Sequence, residues 1–274
     1  MPVRDDLGTR MKEYYENVYR FGLTRRTPVA IRIDGKAFHT FTRGFQKPFD
    51  NVLVKSMQRT MKYLCENIQG CKLGYTQSDE ITLILTDYDT LTTDAWFGYE
   101  LQKMCSIAAS MATMAFNKYF REEALSYILH DDVGYPISIA LAEQDDKLLN
   151  YEEILRKAID KGAMFDARVF NIPKEEVTNL VYWRQLDAAR NSVQMVGQAN
   201  FSHNELQNKT CNMIQEMLMT EKEINWNDFP THLKRGSCCV KTPSGWHIDK
   251  EIPMFKGEGR KYIDSLIYIE GDKE

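Results

Sequence analysis

Two adjacent carboxylates, Asp79 and Glu80, fall between two apolar runs in Lys72-Leu-Gly-Tyr-Thr-Gln-Ser-Asp-Glu-Ile-Thr-Leu-Ile-Leu85, where a strand pattern breaks and restarts. Upstream, Ala30-Ile-Arg-Ile-Asp-Gly-Lys-Ala-Phe-His39 carries another strand pattern that ends in Asp34 and Gly35. In a β-α-β-β unit the end of the first strand and the turn of the next hairpin can lie side by side, which would bring Asp34 to the Asp79–Glu80 pair. Carboxylates in that position suit Mg²⁺, an ion that takes oxygen ligands and is usually held by one or two carboxylates together with substrate phosphates. Two such ions would activate an attacking hydroxyl and brace a leaving pyrophosphate. Asp34-Gly35 and Ser78-Asp79 are also good turn formers. Either pair alone reads at least as well as a turn; their matching topological positions favour metal.

Other residues along the chain suit phosphate. Asp34-Gly-Lys-Ala-Phe-His39 offers successive backbone N–H groups and a flexible glycine, a composition that can cradle phosphate oxygens. Lys47 precedes Pro48, which can open a helix, so its charge and the helix dipole would act on the same anion. Lys103 projects from the polar line of a long helical pattern and is a further phosphate candidate. Arg168, inside a strand pattern beside Asp166, reads equally as a site residue and as the structural partner of that aspartate.

The elements that must position these groups follow from periodicity. A helix is expected over Asp6–Phe21, with Leu7, Met11, Tyr14 or Tyr15 and Val18 at helical spacing. A strand follows at Pro28–Asp34, with Val29, Ile31 and Ile33 on one face. A helix from Pro48 to about Asn67 carries Leu53, Met57, Met61 and Leu64 as its apolar stripe. After the hairpin, a helix over Asp94–Tyr119 presents Leu101, Cys105, Ala108, Ala112 and Ala115 along one side. Its polar line is Lys103, Ser106, Ser110 and Thr113. A strand at Pro136–Leu141, a helix at Tyr151–Lys161, a strand at Phe165–Phe170 and a helix from Lys174 through Val196 complete the order. The first part reads β-α-β-β-α-β, the ferredoxin-like order of an α+β fold. The remainder reads as an Asn204–Met219 helix with strands near Cys238 and Ile267. The expected organisation is a catalytic domain over 1–196 and a C-terminal extension, 197–274, packed on it.

Composition narrows the classes. The chain has 274 residues, 43% hydrophobic and 27% charged, as in an ordinary globular protein with a sizeable core. No apolar run approaches the roughly 18 residues of a membrane span, and Met1-Pro-Val-Arg-Asp-Asp6 lacks the apolar centre of a signal peptide. A cytoplasmic protein without membrane contact is expected. The six cysteines are scattered, which favours reduced, mostly buried thiols, Cys238-Cys239 included, and the five histidines have no zinc-ligand spacing. A net charge of −4 decides nothing about nucleic acid, because binding depends on local basic patches.

Taken together, Arg32-Ile-Asp-Gly-Lys-Ala-Phe-His39, Lys47-Pro48, Gly74-Tyr-Thr-Gln-Ser-Asp-Glu80, Phe165-Asp-Ala-Arg168 and Tyr182-Trp-Arg-Gln-Leu-Asp187…Asn191 closely resemble the tRNA-histidine guanylyltransferase superfamily, in its order, over residues 28–191. The resemblance implies a polymerase-like palm that adds nucleotides to RNA in the 3′-to-5′ direction. A nucleoside triphosphate, ATP or GTP, activates the tRNA 5′ end. The 3′-hydroxyl of the incoming nucleotide then attacks the activated phosphate. Carried onto this chain, the resemblance gives two Mg²⁺ ions to Asp34, the Gly35 carbonyl and Asp79, with Glu80 a further acidic member. It gives the triphosphate to Asp34, Gly35, Lys36, Ala37, Phe38, His39, Ser78 and Asp79. Lys47 and Lys103 match family lysines near the phosphates, Arg32 and Arg168 match arginines at the site, and Arg168, Arg184 and Asn191 stand as RNA contacts. It also implies a homotetramer on which tRNA spans more than one subunit.

Two departures select a branch. Members that guanylylate tRNA-histidine carry a His-Ile-Asn run after the Arg-Gln segment, whereas this chain has Ala189 where the histidine falls in Asp187-Ala-Ala-Arg-Asn191. Extra sequence also lies between about 121 and 161. Both point to the guanylyltransferase-like branch, which repairs truncated tRNA 5′ ends by templated addition. The alternatives are addition of a single guanylate to tRNA-histidine by the same chemistry, and a palm-type cyclase or forward polymerase. A non-catalytic RNA-binding module, with Phe38, Tyr75 or Trp183 stacking on bases, is a further reading.

Overall fold

The structure is a computed structural model that describes residues 5–129 and 146–269. The strand expected at Pro136–Leu141 lies outside them.

The sheet is built from β1 (Val29–Gly35), β2 (Cys71–Gln77), β3 (Glu80–Leu85), β4 (Phe165–Asn171), β5 (Ser237–Thr242) and β6 (Gly245–Asp249). Its order is β4-β1-β3-β2-β5-β6, and every neighbouring pair is antiparallel. The first four strands keep the ferredoxin-like arrangement of an α+β palm, closed by Phe165–Asn171. The C-terminal segment then adds β5 and β6 to the same sheet at the β2 edge.

Strand alternation separates two cores. Val29, Ile31, Ile33, Ile81, Leu83 and Leu85 point to one face and pack with α3 (Asn51–Asn67) and α4 (Leu101–Leu129). Ala108, Ala112 and Ala115 are fully buried on α4, and their small side chains let that helix approach closely. Ala30, Leu73, Tyr75 and Ile84 point to the other face, against α6 (Lys174–Asn200) and α10 (Lys261–Ile267); α5 (Asp146–Lys161) packs beside α4. Cys238 and Cys239 alternate into opposite cores, and all six cysteines are free thiols.

Several boundaries differ from the expectations. The helix expected from Pro48 begins at Asn51, because the Asp50 side chain caps it by accepting the Leu53 N–H at 2.9 Å. α4 starts at Leu101 rather than Asp94, since Phe97 and Gly98 adopt positive φ, and it runs on to Leu129. The Asn204–Met219 helix is two, α7 (His203–Leu206) and α8 (Cys211–Lys222), each with its own side-chain cap from Ser202 and Thr210. The strand expected near Ile267 is helix α10; Ile263 and Ile267, one turn apart, are its buried positions. Short apolar runs do not by themselves distinguish strand from buried helix. The N-terminal segment begins as α1 (Asp6–Met11) and loosens into wider and tighter turns to Tyr19; none of its residues is buried. α9 (Thr231–Arg235) leads into β5.

Candidate active site

β1 ends, the β2–β3 hairpin turns and β4 begins at one end of the sheet. The register pairs Asp34 with Glu80 on one side and with Asp166 on the other. The Gly35 N–H donates to the Asp79 carbonyl at 3.1 Å and the Lys36 N–H to the Met164 carbonyl at 2.8 Å, tying the three segments together. α4 fixes β4 from behind: Thr113 Oγ1 accepts the Phe165 N–H at 3.1 Å, and the Asn117 amide brackets Ala163 with bonds of 2.8 and 2.9 Å.

Asp34 and Asp79 therefore meet across the sheet end. Burial, then the neighbouring charges of Glu80 and Asp166, holds the Asp34 carboxyl above the usual carboxylate range. Burial is also the main cause that raises Asp79, with Asp34 and Glu80 adding to it against hydrogen bonds that pull the other way. Two carboxylates held together against their own repulsion form a donor set that fits a hard divalent cation. No group of three or more His, Cys, Asp or Glu among the described residues is arranged to hold a metal, so phosphate and water would complete the shell.

A cavity of about 520 Å³ opens beside this pair. Gly35, Ala37, Phe38, His39, Lys47, Ser78 and Asp79 line it, so the structure gathers these expected nucleotide residues at one place. Ala37 (φ 53°) and Ser78 (φ 50°) both hold the left-handed conformation, a strain that clusters at ligand clamps. The amides of Ala37, Phe38 and His39 lead into the short helix α2 (Phe38–Phe41) and have no intrahelical partner there. Phe38 anchors the loop from beneath, its ring 5.2 Å from those of Phe41 and Phe165 and 5.5 Å from Phe116. A Cβ on Gly35 would run into the Phe38 ring.

Other expected residues stand differently. Lys47 reaches the cavity, but not through a helix N-terminus, because Asp50 already caps α3. Lys103 lies three helical turns from Thr113, about 15 Å at 1.5 Å per residue, and its ammonium sits 5.2 Å from the Phe97 ring. The structure does not bring it to the carboxylates.

Glu80 is buried and committed to two arginines. Its Oε2 accepts from Arg32 Nη2 at 2.9 Å, and its Oε1 lies 2.7 Å from Arg184 Nε, a contact too bent to count as a hydrogen bond. Arg184 also pairs with Asp187 at 2.7 Å, and both arginines lie near Trp183, 5.3 Å (Arg32) and 4.3 Å (Arg184) from its ring centre. Glu80, Arg32 and Arg184 thus form a brace behind Asp34 rather than free ligands. Arg184, 8% exposed, has no open face for RNA. Arg168 and Asp166 form a loose, exposed pair at 3.8 Å, and Asn191 lines a second, smaller cavity. Phe38 and Tyr75 are buried, so neither is available to stack on a base, whereas Trp183 is half exposed.

The sequence reading passed over Asp50, Gln46, Met195 and Gln198, which also line the cavity. Asp50 accepts from the Gln46 N–H at 3.0 Å and the Tyr151 hydroxyl at 2.5 Å. An aspartate just before a helical stripe was a readable cap signal; Met195 and Gln198 come from the far end of α6 and left none.

Residues 8–173 match the family model described as tRNAHis guanylyltransferase (Thg1). The chain belongs to that family. It is a nucleotidyltransferase, and its palm is shared with solved members. A bacterial tRNA(His) guanylyltransferase (Thg1)-like protein in complex with ATP is 43% identical, with a TM-score of 0.78 over 96% of this chain and 100% of that one. A bacterial tRNA(His) guanylyltransferase (Thg1)-like protein in complex with GTP is 38% identical, with a TM-score of 0.70 at the same coverage. The tRNA(His) guanylyltransferase of Saccharomyces cerevisiae is 26% identical over 81% of this chain and 85% of that protein. For this member of the Thg1 family, the Asp34–Asp79 end of the sheet is the candidate catalytic centre.

Proposed function

We propose that this enzyme adds nucleotides in the 3′-to-5′ direction to the 5′ end of tRNA, repairing truncated ends. The observation that carries the reading is the Asp34–Asp79 pair beside a cavity of about 520 Å³ lined by Lys47, Ser78, Gly35 and Ala37–His39. Asp34, Asp79 and the Gly35 carbonyl would hold two Mg²⁺ ions, which when bound supply charge neutralisation and hydroxyl activation. Lys47 neutralises the triphosphate, the loop amides and Ser78 orient it, and the Glu80–Arg32–Arg184 brace holds Glu80, the strand partner of Asp34, away from the metals. The RNA 5′ phosphate first attacks the α-phosphate of ATP or GTP, forming a phosphoanhydride to that nucleotide and releasing pyrophosphate. The 3′-hydroxyl of the incoming triphosphate then attacks that phosphate and releases the activating nucleotide.

The repair reading is supported by Ala189 in place of the family histidine. It is also supported by the greater identity to the bacterial Thg1-like protein, 43%, than to the yeast guanylyltransferase, 26%. Addition of one guanylate to tRNA-histidine uses the same residues and differs only in the accepted tRNA. We further propose a cytoplasmic homotetramer. Leu7, Tyr14, Tyr15, Val18, Tyr19 and Phe21 are each more than half exposed and offer apolar surface to a second copy.

Asp79→Ala and Asp34→Ala test the site. Each is expected to abolish Mg²⁺-dependent incorporation into a tRNA lacking its first nucleotide while folding and tRNA binding persist. Retention of more than a tenth of wild-type turnover in either variant would overturn the assignment.

A further inference from the structure

The loop Phe45–Asp50, between α2 and α3, carries Lys47 to the cavity beside Asp34 and Asp79. Lys47 is exposed, and its ammonium has no hydrogen-bond or ion-pair partner among the described residues. The position of its charge is therefore set by the backbone that bears it.

That backbone is held on both sides of Lys47. Phe45 is buried, its ring stacked on Phe120 at 5.8 Å and edge-on to Phe41 at 5.6 Å. On the other side the buried Asp50 carboxylate gathers three donors. Its Oδ1 accepts the Leu53 N–H at 2.9 Å, and its Oδ2 accepts the Gln46 N–H at 3.0 Å and the Tyr151 hydroxyl at 2.5 Å. The Gln46 bond closes the loop across Lys47. The Tyr151 bond ties the closed loop to α5, 101 residues further along the chain. A second tie runs beside it: Gln46 Nε2 donates to the Tyr127 hydroxyl at 3.1 Å, and the Tyr127 and Tyr151 rings meet edge to face, 5.2 Å apart.

Capping α3 needs only the Leu53 bond, which a serine or threonine could also make. The second carboxylate oxygen serves the loop and a phenol brought from α5. Burial, then the charge of Asp50, raises the Tyr151 phenol well above its ordinary value, so it keeps its proton and remains a donor at neutral pH. A hydrogen bond to an ionised acceptor is about twice as strong as a neutral one, and this one is shielded from water. Both tyrosines belong to the extra sequence between about 121 and 161. We propose that Tyr151 is a positioning residue for nucleotide addition: its hydroxyl holds Asp50 and, through Asp50 and Gln46, the loop that presents Lys47 to the triphosphate, while Tyr127 braces the same loop. The inference rests on the proposed nucleotide site, where Lys47 meets the phosphates.

The test uses the full chain with Mg²⁺. It reads affinity for tripolyphosphate and ATP, and KM and kcat for addition to a 5′-truncated tRNA. Wild type is compared with Tyr151→Phe, Lys47→Met and the double variant. Tyr151→Phe keeps the ring against Tyr127 and loses only the hydroxyl. It is expected to weaken tripolyphosphate and ATP alike about tenfold, the scale of one hydrogen bond to a charged group, and to raise KM more than it lowers kcat. Lys47→Met is expected to weaken both ligands at least as much, and Tyr151→Phe to add less than about twofold in that background, because the two substitutions remove one interaction. A full tenfold loss in the Lys47→Met background shows that the hydroxyl acts on the fold in general and overturns the proposal. So does unchanged affinity in Tyr151→Phe or in Lys47→Met, or a fall in kcat with KM unchanged. Should Tyr151→Phe not fold, Tyr127→Phe carries the same comparison at a partly exposed site, with an expected loss of about threefold, the scale of a neutral hydrogen bond; no loss overturns the proposal. Wild-type protein that binds neither tripolyphosphate nor ATP contradicts the nucleotide site as well.

Discussion

Asp34 and Asp79 are destabilising neighbours by design of the fold. Burial holds both carboxyls above the ordinary range, with the charges of Glu80 and Asp166 adding to it at Asp34 and those of Asp34 and Glu80 at Asp79. A raised carboxyl pKa means the folded state binds the proton more tightly than the unfolded chain. Its stabilising contribution is therefore present below the unfolded value, about 3.9, and is lost as pH rises through the folded value. Above the folded value both groups are charged and the strain is present. Asp79→Asn should accordingly abolish addition yet raise Tm in EDTA by about 2 °C, the scale of a sub-kilocalorie gain in a chain this size. A fall in Tm would show that the carboxylate is structural. The same sign predicts that the apparent Kd for Mg²⁺ rises as pH is lowered, over a range that lies above the ordinary aspartate pKa. Calorimetric titration at a series of pH values checks this.

At the scale of elements, the hairpin and strand end deliver the acids while the helices lock what surrounds them. Glu80, 7% exposed, is held between Arg32 and Arg184. Removing one partner of a buried pair leaves an uncompensated charge. Glu80→Gln should thus cost about 3 kcal/mol in urea unfolding, and adding Arg184→Met should recover part of it. Gly35→Ala should displace the Phe38 ring and cost about 2 kcal/mol, with KM for nucleotide rising more than kcat falls. The strand alternation of Val29–Ile33 and the stripe Met57-Met61-Leu64 made the palm readable in the chain, and Asp34 and Asp79 with it. Glu80 was not readable in the same way. Adjacency to Asp79 looks like shared duty, but alternation turns it to the opposite problem, pairing with an arginine that arrives from α6 more than a hundred residues later. Lys103 stands apart from the carboxylates for a related reason. Its helical line gives a direction but not a position along the helix, and that position was set by where Phe97 and Gly98 stop the helix from starting earlier.

For the whole molecule, the C-terminal segment adds to the catalytic sheet instead of standing beside it, and α9 supplies a wall of the second, smaller cavity. Deleting the chain after Gly197 should therefore expose the β2 edge and yield aggregated protein, read by light scattering. The direction of addition is the central claim, and it is carried by where a label lands. A 5′-monophosphorylated tRNA lacking its first nucleotide, incubated with this enzyme, Mg²⁺, all four triphosphates and one of them labelled at its α-phosphate, is then mapped by nuclease digestion. The account predicts label at the RNA 5′ end, templated by the opposite strand and lost in Asp79→Ala. Label at the 3′ end, or a labelled cyclic mononucleotide with the RNA unchanged, would contradict it.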